Sequence, residues 1–134
     1  MPGILKTVDA VINDSDKSFT IPGGVQQRLL YASVELISTA VVGNRQMAMR
    51  VLDAAAGNIM LEAIAGVVQT NNSTIRYNFG SGLPREAAVV AGQVSIPIPA
   101  GFILGPKMVV QFLDTAAIDA AADDMTVAFV VDEE

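Results

Sequence analysis

The chain has 134 residues, 51 % of them apolar and only 16 % charged, with 8 basic against 14 acidic side chains and a formal net charge of −6. That length closes one substantial core and not two, and an acidic chain with scattered Lys and Arg argues against nucleic acid as a partner. Histidine and cysteine are both absent, which removes the commonest general base, thiol nucleophiles, disulfides and structural zinc from consideration.

Mean hydropathy is positive at +0.47, yet polar residues or glycine interrupt every run well short of the ~18 apolar residues that a membrane helix needs. The chain therefore reads as no membrane protein, and its opening M-P-G-I-L-K-T-V-D-A reads without a secretion signal. Residues 1–17 are expected to form an N-terminal arm. Within it Ile4, Leu5, Val8, Val11 and Ile12 recur at helical spacing that an extended segment would fit equally well. They precede the first good strand and have no obvious place in its core, so they are the candidate partner-binding residues. Residues 18–134 form the single domain.

That domain opens with a short strand at 18–21. Over residues 29–40, Leu30, Ala32, Val34 and Leu36 alternate with Tyr31, Ser33 and Glu35, the period-two signature of a half-buried strand. The stretch V-V-G-N-R-Q-M-A-M-R-V-L-D-A-A-A-G-N follows. Gly43-Asn44 reads as a tight connection, Met47, Met49 and Val51 as the apolar side of the next strand, and Ala56-Gly57-Asn58 as a hairpin turn. Arg45 and Arg50 then look like strand-flank charges pairing with Asp53 or Glu62.

Ile59, Leu61 and Ala63 mark a weaker strand opposite Met60 and Glu62. Ile75, Tyr77 and Phe79 mark a stronger one, closed by the turn residues G-S-G-L-P. Val94, Ile96 and Ile98 alternate with Ser95, Pro97 and Pro99. Proline supplies no ladder N–H, so this strand belongs at a sheet edge or pairs on one side only. Met108, Val110 and Phe112 start another strand, and Met125, Val127, Phe129 and Val131 form the last. Residues 116–124 read as an alanine-rich loop or one helical turn capped by Asp114 or Thr115. About eight short strands without sustained helical periodicity predict an all-β fold, an antiparallel β-sandwich of jelly-roll type with an N-terminal arm.

Candidate chemistry is sparse. Asp114, Asp119, Asp123 and Asp124 are oxygen ligands suited to calcium, but their spacing lacks the alternation and central glycine of an EF-hand, and a solvated loop is the expected reading. Asp53 with Glu62, or Glu35 with Glu86, would serve acid/base chemistry only if the carboxyls converged. The G-S-G turn lacks the Lys-Ser/Thr and following helix of a phosphate loop. No cofactor, metal or catalytic set is expected. Sugar stacking would have to use Tyr31, with Asn71 and Asn72 nearby, because there is no Trp and Tyr77 shares a core face with Ile75 and Phe79.

The runs Q-R-L-L-Y-A-S-V-E-L-I-S-T-A-V-V-G-N-R-Q-M-A-M-R-V-L-D-A-A-A-G-N-I-M, S-T-I-R-Y-N-F-G-S-G-L-P and I-P-I-P-A-G-F-I-L-G-P resemble small virion proteins of tailed bacteriophages, over roughly residues 25–112. The resemblance implies a jelly-roll capsid decoration, or cement, protein. Such a protein is a non-enzymatic subunit on the outer surface of the virion, assembled in the host cytoplasm. It associates with itself as a dimer or trimer and bridges major capsid protein subunits of the HK97 fold. The alternative is a phage tail or fibre sandwich module that binds a host glycan.

Overall fold

We describe residues 3–8 and 17–133 of a computed structural model of the chain. The described residues form ten strands and no helix: β1 (Gly3–Val8), β2 (Lys17–Thr20), β3 (Gln27–Ile37), β4 (Met47–Leu52), β5 (Ile59–Ile64), β6 (Thr74–Gly80), β7 (Gln93–Pro97), β8 (Ile103–Leu104), β9 (Val109–Asp114) and β10 (Asp124–Glu133). They make a β-sandwich. One sheet has the order β1-β10-β3-β6-β7, with β8 paired to the start of β3, and the other has the order β2-β9-β4-β5. Apart from β6 with β7, every pairing is antiparallel.

Alternation selects the inner face. Val34 and Leu36 of β3, Met47, Met49 and Val51 of β4, Tyr77 and Phe79 of β6, Val110 and Phe112 of β9, and Met125, Val127, Phe129 and Val131 of β10 are all buried in one core between the sheets. Four phenylalanines bridge the layers. Phe112 meets Phe79 edge-on at 5.7 Å between ring centroids and Phe129 at 6.2 Å, while Phe19 of β2 meets Phe129 edge-on at 5.1 Å. Such pairs add to the stabilisation from area burial because each positive ring edge faces a negative ring face.

Two β-bulges break the expected phase. Between β10 and β3, Val130 pairs with Tyr31 but Val131 pairs with Leu29, leaving Leu30 without an opposite residue. One extra residue flips the alternation, so Leu29 is buried and Leu30 is exposed, the reverse of the sequence expectation. In β5 the shift between Val51 and Leu52 pairs Leu52 with Ile59, and Ile59 faces solvent while Leu61 and Ala63 turn inward.

The proline-bearing strand lies at a sheet edge, as its missing donor requires: among the described strands β7 pairs with β6 alone. It runs parallel to β6, however, because residues 81–92 carry the chain back before it re-enters the sheet. Part of that return covers the open edge, with Ser95 N–H donating to Glu86 Oε1 and Glu86 N–H to Ser95 O.

Within the residues assigned to an arm, Gly3–Val8 pairs with β10 from Gly3 opposite Asp132 to Val8 opposite Val127. Ile4, Leu5 and Val8 therefore belong to an edge strand of the sheet, whereas Val11 and Ile12 lie outside the described residues.

The β4–β5 hairpin closes as expected but divides its labour differently. Asp53 Oδ1 accepts the Asn58 N–H at 2.8 Å, and Ala56, not Gly57, carries the left-handed φ of 55°. Gly57 is required for space: a Cβ there would collide with Asp53 Oδ1. Ala56→Gly should then raise stability by about 1 kcal/mol by relieving the left-handed strain, whereas Gly57→Ala should lower it by about 1–2 kcal/mol. Urea denaturation of the two variants gives opposite signs if this assignment holds. Phe112→Ala should cost about 3–5 kcal/mol by the same measurement, because it opens a cavity beside two other aromatic rings.

Candidate functional site

Residues 38–46, S-T-A-V-V-G-N-R-Q, carry the chain from β3 in one sheet to β4 in the other. They make a corner, not the tight connection expected of Gly43-Asn44, and Arg45 is their sole charge. Arg45 pairs neither with Asp53 nor with Glu62. Its Nε donates to Asp123 Oδ2 at 2.7 Å and its Nη2 to Asp123 Oδ1 at 3.1 Å, and both side chains are 0 % exposed. The planar guanidinium fork matches the carboxylate, as a point-charge ammonium would not. Arg50 does pair with Glu62 across β4 and β5 as expected.

The remaining guanidinium donors shape the corner. Arg45 Nη1 donates to Val41 O at 2.9 Å and Gly43 O at 2.8 Å, the carbonyls on either side of Val42. A buried charge without a partner costs several kcal/mol, so these groups must stay engaged. Val42 itself is 84 % exposed. An apolar tip is thus held by polar contacts beneath it.

The loop before β10 is tied to the same cluster, which corrects the expectation of a solvated acidic loop. Asp123 also accepts the Thr39 N–H at 2.9 Å, and Asp119 accepts the Thr39 hydroxyl. Asp114, itself buried, accepts the N–H groups of Gln46, Ala116 and Ile118 at 2.8, 3.0 and 3.1 Å, the capping role expected of it or of Thr115. These carboxylates hold loops, and among the described residues no three His, Cys, Asp or Glu side chains group to hold a metal ion.

Gln69 completes the cluster from the β5–β6 connection. Its main chain exchanges two 2.8 Å hydrogen bonds with Arg45, its Nε2 donates to Leu36 O and Ser73 O, and its Oε1 accepts the Tyr77 hydroxyl at 2.9 Å. Burial pushes the Tyr77 phenol well above its ordinary value, and the Asp114 charge pushes it further. Burial also pushes the Asp123 carboxyl up, but the hydrogen bonds from Arg45 and Thr39 and the Arg45 charge outweigh it and hold the group below the usual carboxylate range. The hydrogen bond to Asp123 raises Arg45 above its ordinary value against the opposing effect of burial.

The other paired carboxylates do not converge. Asp53 closes the hairpin, Glu62 meets Arg50, Glu35 meets Arg76 and Glu86 caps Ser95. Tyr31 and the Asn71-Asn72 turn are also separate. Asn72 N–H donates to Thr39 O beyond the end of β3, while Tyr31 lies six residues inside that end, about 20 Å along the strand at ~3.3 Å per residue.

Sequence reasoning missed the Arg45–Asp123 pair because its members are 78 positions apart. The available signal was a single charge within an otherwise uncharged crossing.

Asp123→Ala should destabilise the protein by about 3–5 kcal/mol, since it strands a buried guanidinium. Because the folded-state carboxyl is depressed, its contribution is present above the unfolded value of about 4 and is lost as pH falls through the lower folded value. The stability gap between the wild type and Asp123→Asn, measured by urea denaturation at stepped pH, should therefore narrow on acidification below pH ~4. No protein-family model matches the chain, and no match was found among curated proteins or solved structures.

Proposed function

We propose that the chain is a structural, non-enzymatic virion subunit that decorates the outside of an icosahedral phage head and bridges major capsid proteins of the HK97 fold. The observation that carries this reading is the exposed apolar corner at Val41 and Val42. It lies in the same V-V-G-N-R run that resembles phage virion proteins, and a buried ion pair pins it from below. A preorganised apolar tip docks with little loss of conformational entropy, and repetition over a symmetric lattice multiplies weak contacts.

The jelly-roll assignment belongs to the same reading. With β7 and β8 set aside, the orders β1-β10-β3-β6 and β2-β9-β4-β5 support two interlocked Greek keys, in which most connections cross between sheets. Self-association as a dimer or trimer on the capsid follows from the resemblance alone. The exposed Val42 supports a protein partner, because an apolar group held in solvent gains when another surface covers it.

Purified subunit added to undecorated heads should co-sediment with them and raise the temperature at which they rupture. Val42→Asp should weaken that binding about tenfold or more while leaving the thermal unfolding of the free subunit unchanged. Failure of the wild-type protein to bind any undecorated head overturns the proposal.

A further inference from the structure

The outer face of the six-stranded sheet carries an ordered polar array across β3, β6 and β7. The geometry points to a binding platform for a neutral saccharide, centred on the Tyr31 ring and the Asn78–Gln93 amide pair. Tyr31 lies opposite Gly80 in the register of β3 and β6. A Cβ on Gly80 would come within 3.2 Å of Tyr31 Cδ2 and 2.9 Å of Leu83 Cδ1, so the missing side chain lets the ring lie close to the sheet beside Leu83. The tyrosine nonetheless remains 39 % exposed. Its hydroxyl donates to Asn78 Oδ1 at 2.7 Å, which fixes the ring's orientation.

The array continues sideways. Asn78 Nδ2 donates to Gln93 Oε1 at 2.9 Å on the neighbouring strand. These bonds leave the second Nδ2 hydrogen of Asn78, both Nε2 hydrogens of Gln93 and the lone pairs of the Tyr31 hydroxyl for a ligand. Three adjacent strands place those groups over about 10 Å, the scale of one or two pyranose rings. An exposed ring face beside a row of amide donors suits the apolar C–H face of a sugar and its neighbouring hydroxyls.

The charge state selects the ligand class. Arg76, next along β6 on the same face, donates through Nη1 to Ser33 Oγ at 2.9 Å and through Nη2 to Glu35 Oε2 at 3.2 Å, so its charge is matched within the sheet. The platform therefore favours a neutral sugar over a sulfated or uronic one. Because the side chains already hold one another, a bound ring loses little freedom to ordering of the protein. The inference does not rest on the capsid reading, since it concerns the free subunit and free sugars.

Titration of the intact chain, followed by amide chemical shifts, would use methyl β-glucopyranoside, methyl β-galactopyranoside, the β-1,4 tetraoses of glucose and N-acetylglucosamine, and a sulfated tetrasaccharide. At least one neutral sugar should give saturable shifts centred on residues 31, 78 and 93, with a dissociation constant on the order of millimolar. Tyr31→Ala and Gln93→Ala should each weaken binding about tenfold, and Tyr31→Phe should weaken it less because the ring remains. Gln93 is exposed on an edge strand, so its variant tests binding even if Tyr31→Ala unfolds. Absence of saturable shifts with every neutral sugar, binding of the sulfated sugar alone, or a Gln93→Ala variant that binds like the wild type would overturn the assignment.

Discussion

The end of this sandwich closes because one guanidinium reaches one carboxylate. Arg45 enters from the corner between β3 and β4, and Asp123 stands immediately before β10. Neither charge could remain in a dry interior alone, since the desolvation penalty is several kcal/mol per ion. Once the two are paired, the leftover donors of Arg45 take Val41 O and Gly43 O, and the second oxygen of Asp123 takes Thr39 N–H. Two loops from distant parts of the chain are thereby fixed to each other, and the main-chain hydrogen bonds between Arg45 and Gln69 tie in a third.

That constraint separates the interior from the surface in an unusual way. Residues 38–46, 65–73 and 115–123 contain the charges Arg45, Asp119 and Asp123; Arg45 and Asp123 are buried against each other, and the half-buried Asp119 is held by Thr39. The residues left outward are valines, alanines, threonines and amides, with Val41, Val42 and Val68 the exposed large apolar members. These three segments thus present little exposed charge of their own.

Much of the architecture was legible because alternation is a local property. Val34 and Leu36, Met47, Met49 and Val51, Ile75, Tyr77 and Phe79, and the four apolar residues of β10 each point inward as their spacing predicts. The edge position of the proline-bearing strand was equally legible, because a missing N–H forbids a second neighbour. Leu30 and Ile59 were misread for the opposite reason. A bulge depends on the partner strand's register, which no window of the sequence contains. The candidate site was less visible still. Tyr31 was named, but with Asn71 and Asn72, a turn that the fold sets beyond the far end of β3; its real neighbours, Asn78 and Gln93, are set by which strands lie side by side.

The sequence by itself determined the fold class, most of the strands and the residues of the inner face. These follow from side-chain polarity repeating every second residue and from the backbone limits of proline and glycine, and both act over a few positions. Only the tertiary structure decided the parallel placement of β7, the two bulges, the partner of Arg45 and the array around Tyr31. Each of those depends on bringing together residues far apart along the chain, and strand order selects among many pairings that the local pattern tolerates equally well.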